Sequence, residues 1–292
     1  MDYKEKVKHG THEFPLEMYD IKTENGLNLY THYHSELEVI LIKSGSGMAY
    51  VDDKSYAVGE GDILFINSQQ LHGIMASDMN NAEFIAVVFA PEFFGQLDAV
   101  ANKYVMPVIK KSVYIPTFIE KDFQLYDCIL ELAEKKGSEL EELKIKRLMF
   151  KIWELLIIKS ERCTACTYET GIEEIKTAID YMKSNYVQKI KLSKLAQLTN
   201  MSRVYFCKKF TQLAGITPIE YLIRIRIENS CHMLKNTNME IGTIAMECGF
   251  SSFSYYSKIF KRIMGCTPKE YRNGYLKNYK DNVKKICDFG PI

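Results

Sequence analysis

His32 and His34 stand two residues apart, Glu38 follows after three more, and His72 lies 34 positions beyond Glu38. Three imidazoles and one carboxylate form a donor set that suits a divalent first-row metal. The same groups can hydrogen-bond a polar organic molecule, or serve only as structural histidines. Side chains alternate along a strand, so a strand through 32–34 would aim both histidines at one interior. Cys163 and Cys166 make a C-x-x-C pair, but a structural zinc site needs four ligands and no second pair is near. They read as bystanders. The eight cysteines form no framework, which fits reduced thiols in a cytoplasm.

The elements that would hold the histidines read as short strands. Apolar runs at 37–43, 47–51, 54–58, 62–66, 71–75 and 83–89 are punctuated by Asp52-Asp53 and Gly59-Glu60-Gly61, which predicts a sandwich or barrel. Residues 26–45 resemble the first cupin motif: Gly26, then His32-x-His34, Glu38 and Gly45 at the motif's spacing. A second motif starts at Gly61 and reaches its histidine at His72. It departs at Asn67, Gln69 and Ala76, where cupins usually have Pro, Gly and Asn. After Pro91 the pattern turns helical. Leu140 to Ile158 repeats apolar residues at helical spacing and needs a cover, either the barrel or a second subunit.

The C-terminal third contains a repeat at a spacing of about 50. Tyr205 pairs with Tyr255, Lys208 with Lys258, Phe210 with Phe260, Gly215 with Gly265, and Thr217-Pro218 with Thr267-Pro268. In each copy apolar residues fall at i, i+4, i+7: Phe206, Phe210, Leu213 and Tyr256, Phe260, Ile263. That spacing buries one helix face. Val204, Cys207, Lys208 and Thr211 occupy the opposite face of the first copy, and Ser254, Ser257, Lys258 and Lys261 that of the second. Two such helices suit two major grooves.

Residues 172–273 resemble the DNA-binding domain of AraC-type transcription regulators through Ile244-Ala245, Gly249-Phe250, Phe260-Lys261, Gly265, Thr267-Pro268 and Tyr271-Arg272. Arg226 and Met233-Leu234 fit the linking segment, whereas Ser230 stands where the family usually has Ala. The resemblance implies two helix-turn-helix units joined by a helix from about Pro218 to Leu234. At 1.5 Å per residue this helix is about 25 Å long, enough to serve successive grooves. It also assigns DNA contact to Arg203, Val204, Cys207, Lys208, Ser254, Ser257, Lys258, Lys261 and Arg262. Regulators of this type pair through helices such as 140–158, so a partner subunit is the favoured cover for that stripe.

Charge agrees with the division. Residues 1–170 carry 18 Lys/Arg against 27 Asp/Glu, while residues 171–273 carry 16 against 8. Only the basic part suits a polyanion. No run of eighteen apolar residues exists, and the start lacks a signal-peptide core.

The expected chain is therefore an α+β multidomain protein. Residues 1–160 form a cupin-like effector and dimerisation domain, with the barrel at about 12–90 and helices at about 91–160. A linker (161–170), an all-α double helix-turn-helix domain (171–273) and a basic tail (274–292) follow. The expected function is that of a cytoplasmic, dimeric, effector-responsive regulator, not an enzyme. Double-stranded DNA and a small polar effector such as a carbohydrate are its partners, with RNA polymerase a further one implied by the family. His32, His34, Glu38 and His72 contact the effector or, in the alternative, a divalent metal. The effector signal is expected to travel through residues 1–20 and the helices around 122–158.

Overall fold

The computed structural model describes residues 10–11, 13–24, 29–76, 80–95, 99–134, 140–162 and 171–274. The Cys163/Cys166 pair, Gly26 and the tail beyond 274 lie outside them. Strands β1 (Leu16–Glu24), β2 (Leu29–His32), β3 (Leu37–Ser44), β4 (Ser46–Val51), β5 (Lys54–Gly59), β6 (Ile63–Ile66), β7 (His72–Ala76) and β8 (Asn80–Phe89) build the N-terminal half. A 3-10 turn (Pro91–Phe94), a π-helical stretch (Ala101–Val105) and α1 (Met106–Ile109) come next. Short strands β9 (Val113–Tyr114) and β10 (Phe118–Ile119), helices α2 (Phe123–Ala133) and α3 (Glu141–Ile158), and β11 (Glu161–Arg162) complete it. One sheet runs β1-β8-β3-β6-β10 and a second β2-β7-β4-β5; β11 pairs with β9. Strand β1 carries too little alternation to have been read from the sequence, and the strand expected through 32–34 already ends at His32.

β3 shows how the sheet sorts its side chains. Leu37, Val39 and Leu41 join the cluster that includes the helices, whereas Ile40 and Ile42 join the one between the sheets. A period of two does this, and it places Glu38 on the inner face of a strand that is otherwise nearly all apolar. Covered on both sides, such a strand reads as a continuous run rather than an alternation.

The stripe on α3 is covered by its own chain. Ile145, Leu148, Met149, Ile152, Trp153, Leu155 and Leu156 pack with α2 on the outer face of the five-stranded sheet. The expectation that a partner subunit covers this stripe is therefore corrected. The sheet needs the same apolar face, and it is tethered to the helix. A different set on α3, Leu143, Phe150 and Ile158, stays exposed.

Among the described residues, seven helices form the C-terminal part: α4 (Ile172–Asn185), α5 (Leu192–Leu198), α6 (Arg203–Ala214), α7 (Pro218–Asn236), α8 (Ile241–Glu247), α9 (Phe253–Met264) and α10 (Pro268–Arg272). The repeat read from sequence is a repeat of caps. Ser202 and Ser252 accept from the backbone N–H of Tyr205 and Tyr255, starting α6 and α9. Gly215 and Gly265 end them in the left-handed region, with φ 71° and 73°. Thr217/Glu220 and Thr267/Glu270 then form capping boxes, with Pro218 and Pro268 in the first turn of the next helix.

Two apolar cores result, one around Phe206, Phe210 and Leu213, the other around Tyr256 and Phe260. Their relative placement is fixed at 186–188. Arg226 on α7 donates to the carbonyl oxygens of Tyr186 and Gln188, both at 2.8 Å. Gly249 closes on the same segment, where a Cβ would meet the Val187 carbonyl oxygen at 2.6 Å.

Candidate functional site

His32 ends β2, and the chain through His34 runs past that strand, so the two histidines do not share one strand as the sequence reading had it. They nevertheless meet. His32 sits opposite His72 in the β2–β7 ladder, and Glu38 approaches from β3 in the other sheet. One donor atom from each of the four residues lies within 4.8 Å of the other three. Glu38 is 0% exposed and the histidines 5% or less.

Burial, then the neighbouring imidazoles of His72 and His34, hold the His32 ring well below the usual imidazole range. It is neutral. Burial pushes the Glu38 carboxyl up, but His72 and His34 outweigh it and hold the group well below its ordinary range. Gln69, at the position where cupins have Gly, adopts φ 64°.

The cluster lies beneath a junction with the first helix-turn-helix unit. Thr31 Oγ1 donates to the Ala214 carbonyl oxygen at 3.0 Å, and Tyr221 Oη donates to the Thr31 carbonyl oxygen at 2.7 Å. Tyr33 Oη donates to Asp180 Oδ2 at 2.6 Å. Leu71, the neighbour of His72, is part of the first unit's apolar core, with Tyr33 and Met75 packed against it. A Cβ on Gly215 would meet Met75 Sδ and Tyr50 Cε2 at 2.7 Å.

No motif marked these residues, because contacts between positions separated by some 150–190 residues leave no local periodicity. The route expected through residues 1–20 and the 122–158 helices lies partly outside the described residues; the structure shows a direct contact between β2, the loop after it, and α4, α6 and α7.

The outer faces of α6 and α9 stay open. Arg203, Val204 and Lys208 are exposed and Cys207 is half-buried; Ser254, Lys258, Lys261 and Arg262 are exposed and Ser257 is half-buried. Val204, at 81%, is among the most exposed large apolar side chains described. No helix among the described residues is long and apolar enough to cross a membrane.

A buried-cluster barrel joined to two like helix-turn-helix units defines a ligand-binding domain fused to a DNA-reading domain. Residues 25–149 match the model of the AraC-like ligand binding domain, and residues 195–274 match that of a helix-turn-helix domain. The chain belongs to the AraC-type transcription regulators.

The chain is similar to the HTH-type transcriptional regulator YdeC of Bacillus subtilis, 26% identical over 278 residues, covering 92% of this chain and 95% of the relative. It is also similar to the HTH-type transcriptional activator RhaR of Mannheimia succiniciproducens, 23% identical, covering 84% and 88%. Among solved structures, ToxT of Vibrio cholerae aligns over 88% of this chain and 97% of that one, at 16% identity and a TM-score of 0.45.

Proposed function

We propose that the chain is a sequence-specific, effector-responsive transcription regulator that reads DNA through α6 and α9, and that it is not an enzyme. The observation that carries this reading is the matched pair of capped helices whose inner faces are buried and whose basic and small residues point outward. Arg203, Val204, Cys207 and Lys208 read one groove; Ser254, Ser257, Lys258, Lys261 and Arg262 serve the next. Val204 suits thymine methyl groups, and the two lysines suit guanine edges. Lys208→Ala and Lys258→Ala, assayed on a duplex selected from a random library, should each weaken binding by about 1–3 kcal/mol and relax preference at one position. Equal weakening on every sequence, with a shallower salt slope, would demote them to phosphate contacts.

The effector is a small polar molecule, with a sugar as the favoured class. His32, His34, Glu38 and His72 pack too closely to surround one directly. A cavity of about 350 Å³ lies alongside, lined by Asp52, Asp53, Tyr56, Gln70, Tyr114 and Ile172 among others. That volume falls within the range of small-molecule sites. Its carboxylates, amide and tyrosines suit hydroxyl groups. Ile172 opens α4, so an occupant would touch both domains, and Gln70 links the cavity to the cluster through its carbonyl contact with His72.

The relatives carrying the word activator in their names favour activation; RNA polymerase as partner and a place in the cytoplasm follow from the family resemblance alone. Dimerisation is assigned to the exposed Leu143, Phe150 and Ile158 face of α3.

A further inference from the structure

We propose that His32, His34, His72 and Glu38 hold one divalent first-row transition-metal ion, and that Thr31 and Tyr33 report its presence to the first helix-turn-helix unit. The proposal rests on the reading of the chain as a DNA-binding regulator and names a ligand and a route for it.

The hydrogen bonds fix the tautomers. Nδ1 of His32 lies 2.7 Å from the Tyr30 carbonyl oxygen, Nδ1 of His34 3.2 Å from that of Glu36, and Nδ1 of His72 2.9 Å from that of Gln70. A carbonyl oxygen only accepts, so each Nδ1 carries a proton and each ring turns its Nε2 toward the cluster. This is the outer arrangement that metal-bound histidines use.

The inner side is then a convergence of acceptors. His72 Nε2 stands 2.8 Å and His34 Nε2 3.2 Å from the same oxygen, Glu38 Oε2. His72 Nε2 and Glu38 Oε1 are buried without a hydrogen-bond partner. A cation among these groups would satisfy the carboxylate oxygens and the imidazole nitrogens together. Donors that all fall within 4.8 Å of one another approach the span expected around one ion with bonds of about 2.0–2.2 Å. Three nitrogens and one oxygen favour zinc, iron, cobalt, nickel or manganese over magnesium or calcium.

The route follows from the contacts on either side of this segment. His32 and His34 turn inward to the cluster, while Thr31 and Tyr33 turn outward to Ala214, Tyr221 and Asp180. Any adjustment that draws the two imidazoles onto an ion moves Thr31, which holds the C-terminus of α6 and the start of α7, and Tyr33, which holds α4. Metal can act on DNA affinity only by favouring one placement of that unit over another. A coupling of ordinary size gives about a 5- to 150-fold change.

The test uses the full chain, stripped with a chelator and titrated with Co²⁺, with the ion content and the visible spectrum recorded. One ion per chain with a Co²⁺ d–d band is expected, lost in His34→Ala and in Glu38→Gln. No stoichiometric ion in the wild type, or retention in both variants, would overturn the metal site. Affinity for the selected duplex should differ at least 5-fold between stripped and loaded protein. The Thr31→Val/Tyr33→Phe/Tyr221→Phe triple variant should keep its ion and lose that difference. An ion that leaves wild-type affinity unchanged, or a difference that survives the triple variant, would overturn the route. Failure to bind any duplex, loaded or stripped, with the spectrum intact, would instead refute the DNA-reading assignment on which the route depends.

Discussion

Phe260→Ala should lower the stability of the second helix-turn-helix unit by about 3–5 kcal/mol, the range for truncating a buried phenylalanine. Phe260 is 0% exposed and meets the rings of Tyr256 and Tyr271 at 5.6 and 5.5 Å. Its counterpart, Phe210, is equally buried and meets Phe206 and Tyr221 at 5.7 and 5.4 Å. The two changes should differ in their reach. The first unit's core includes Leu71 of the barrel, so Phe210→Ala should also loosen the junction above the histidine cluster. Urea unfolding of the full chain, followed by hydrogen exchange at Leu71 and at Ala245, reads both effects. Equal protection losses at Leu71 in the two variants would contradict the separation of the cores.

Leu148→Glu and Leu143→Glu should behave in opposite ways although they lie on one helix. Leu148 is 1% exposed beneath the five-stranded sheet, and Leu143 is 66% exposed. An unpaired carboxylate in the first position should cost more than about 4 kcal/mol and unfold the N-terminal domain. The same change at Leu143 should leave the fold intact and move the sedimenting mass from dimer toward monomer. Leu155, 7% exposed, should follow Leu148. A soluble, folded Leu148→Glu monomer would restore the partner-covered stripe that the structure replaces. A Leu143→Glu/Phe150→Glu dimer would remove the exposed face of α3 from the dimer interface.

Much of the fold was legible where physics is local. The pairs Gly215 with Thr217-Pro218 and Gly265 with Thr267-Pro268 are read from residue type and spacing, because each acts on backbone groups within four positions; the serine caps Ser202 and Ser252 were not read. The six runs from 37–43 to 83–89 correspond to β3–β8, since their apolar content and turn residues set them apart. β1 escaped notice: Met18, Asp20 and Lys22 alternate with Tyr19 and Ile21 too weakly to mark a strand. The helical pattern of 140–158 was clear, but a stripe alone does not name its cover. Whether Leu148 meets a sheet or a partner depends on where the chain folds back.

The four cluster residues were legible from spacing. What they touch was not. Thr31, Tyr33 and Leu71 acquire their neighbours only when β2 and β7 dock on α4, α6 and α7. Glu38 is similar: its motif suggested a ligand, but its inner-face position follows from Ile40 and Ile42 sharing that face of β3.

The most direct test of the two-headed reading is selection of bound duplexes from a random library with the full chain, followed by base-interference mapping. α7, nineteen residues long, spans about 28 Å and carries one unit at each end. Two short motifs centred about 10–10.5 base pairs apart on one face of the duplex, one weakened by Lys208→Ala and the other by Lys258→Ala, are the expected result. A single motif, or selection of no sequence at all, would contradict it.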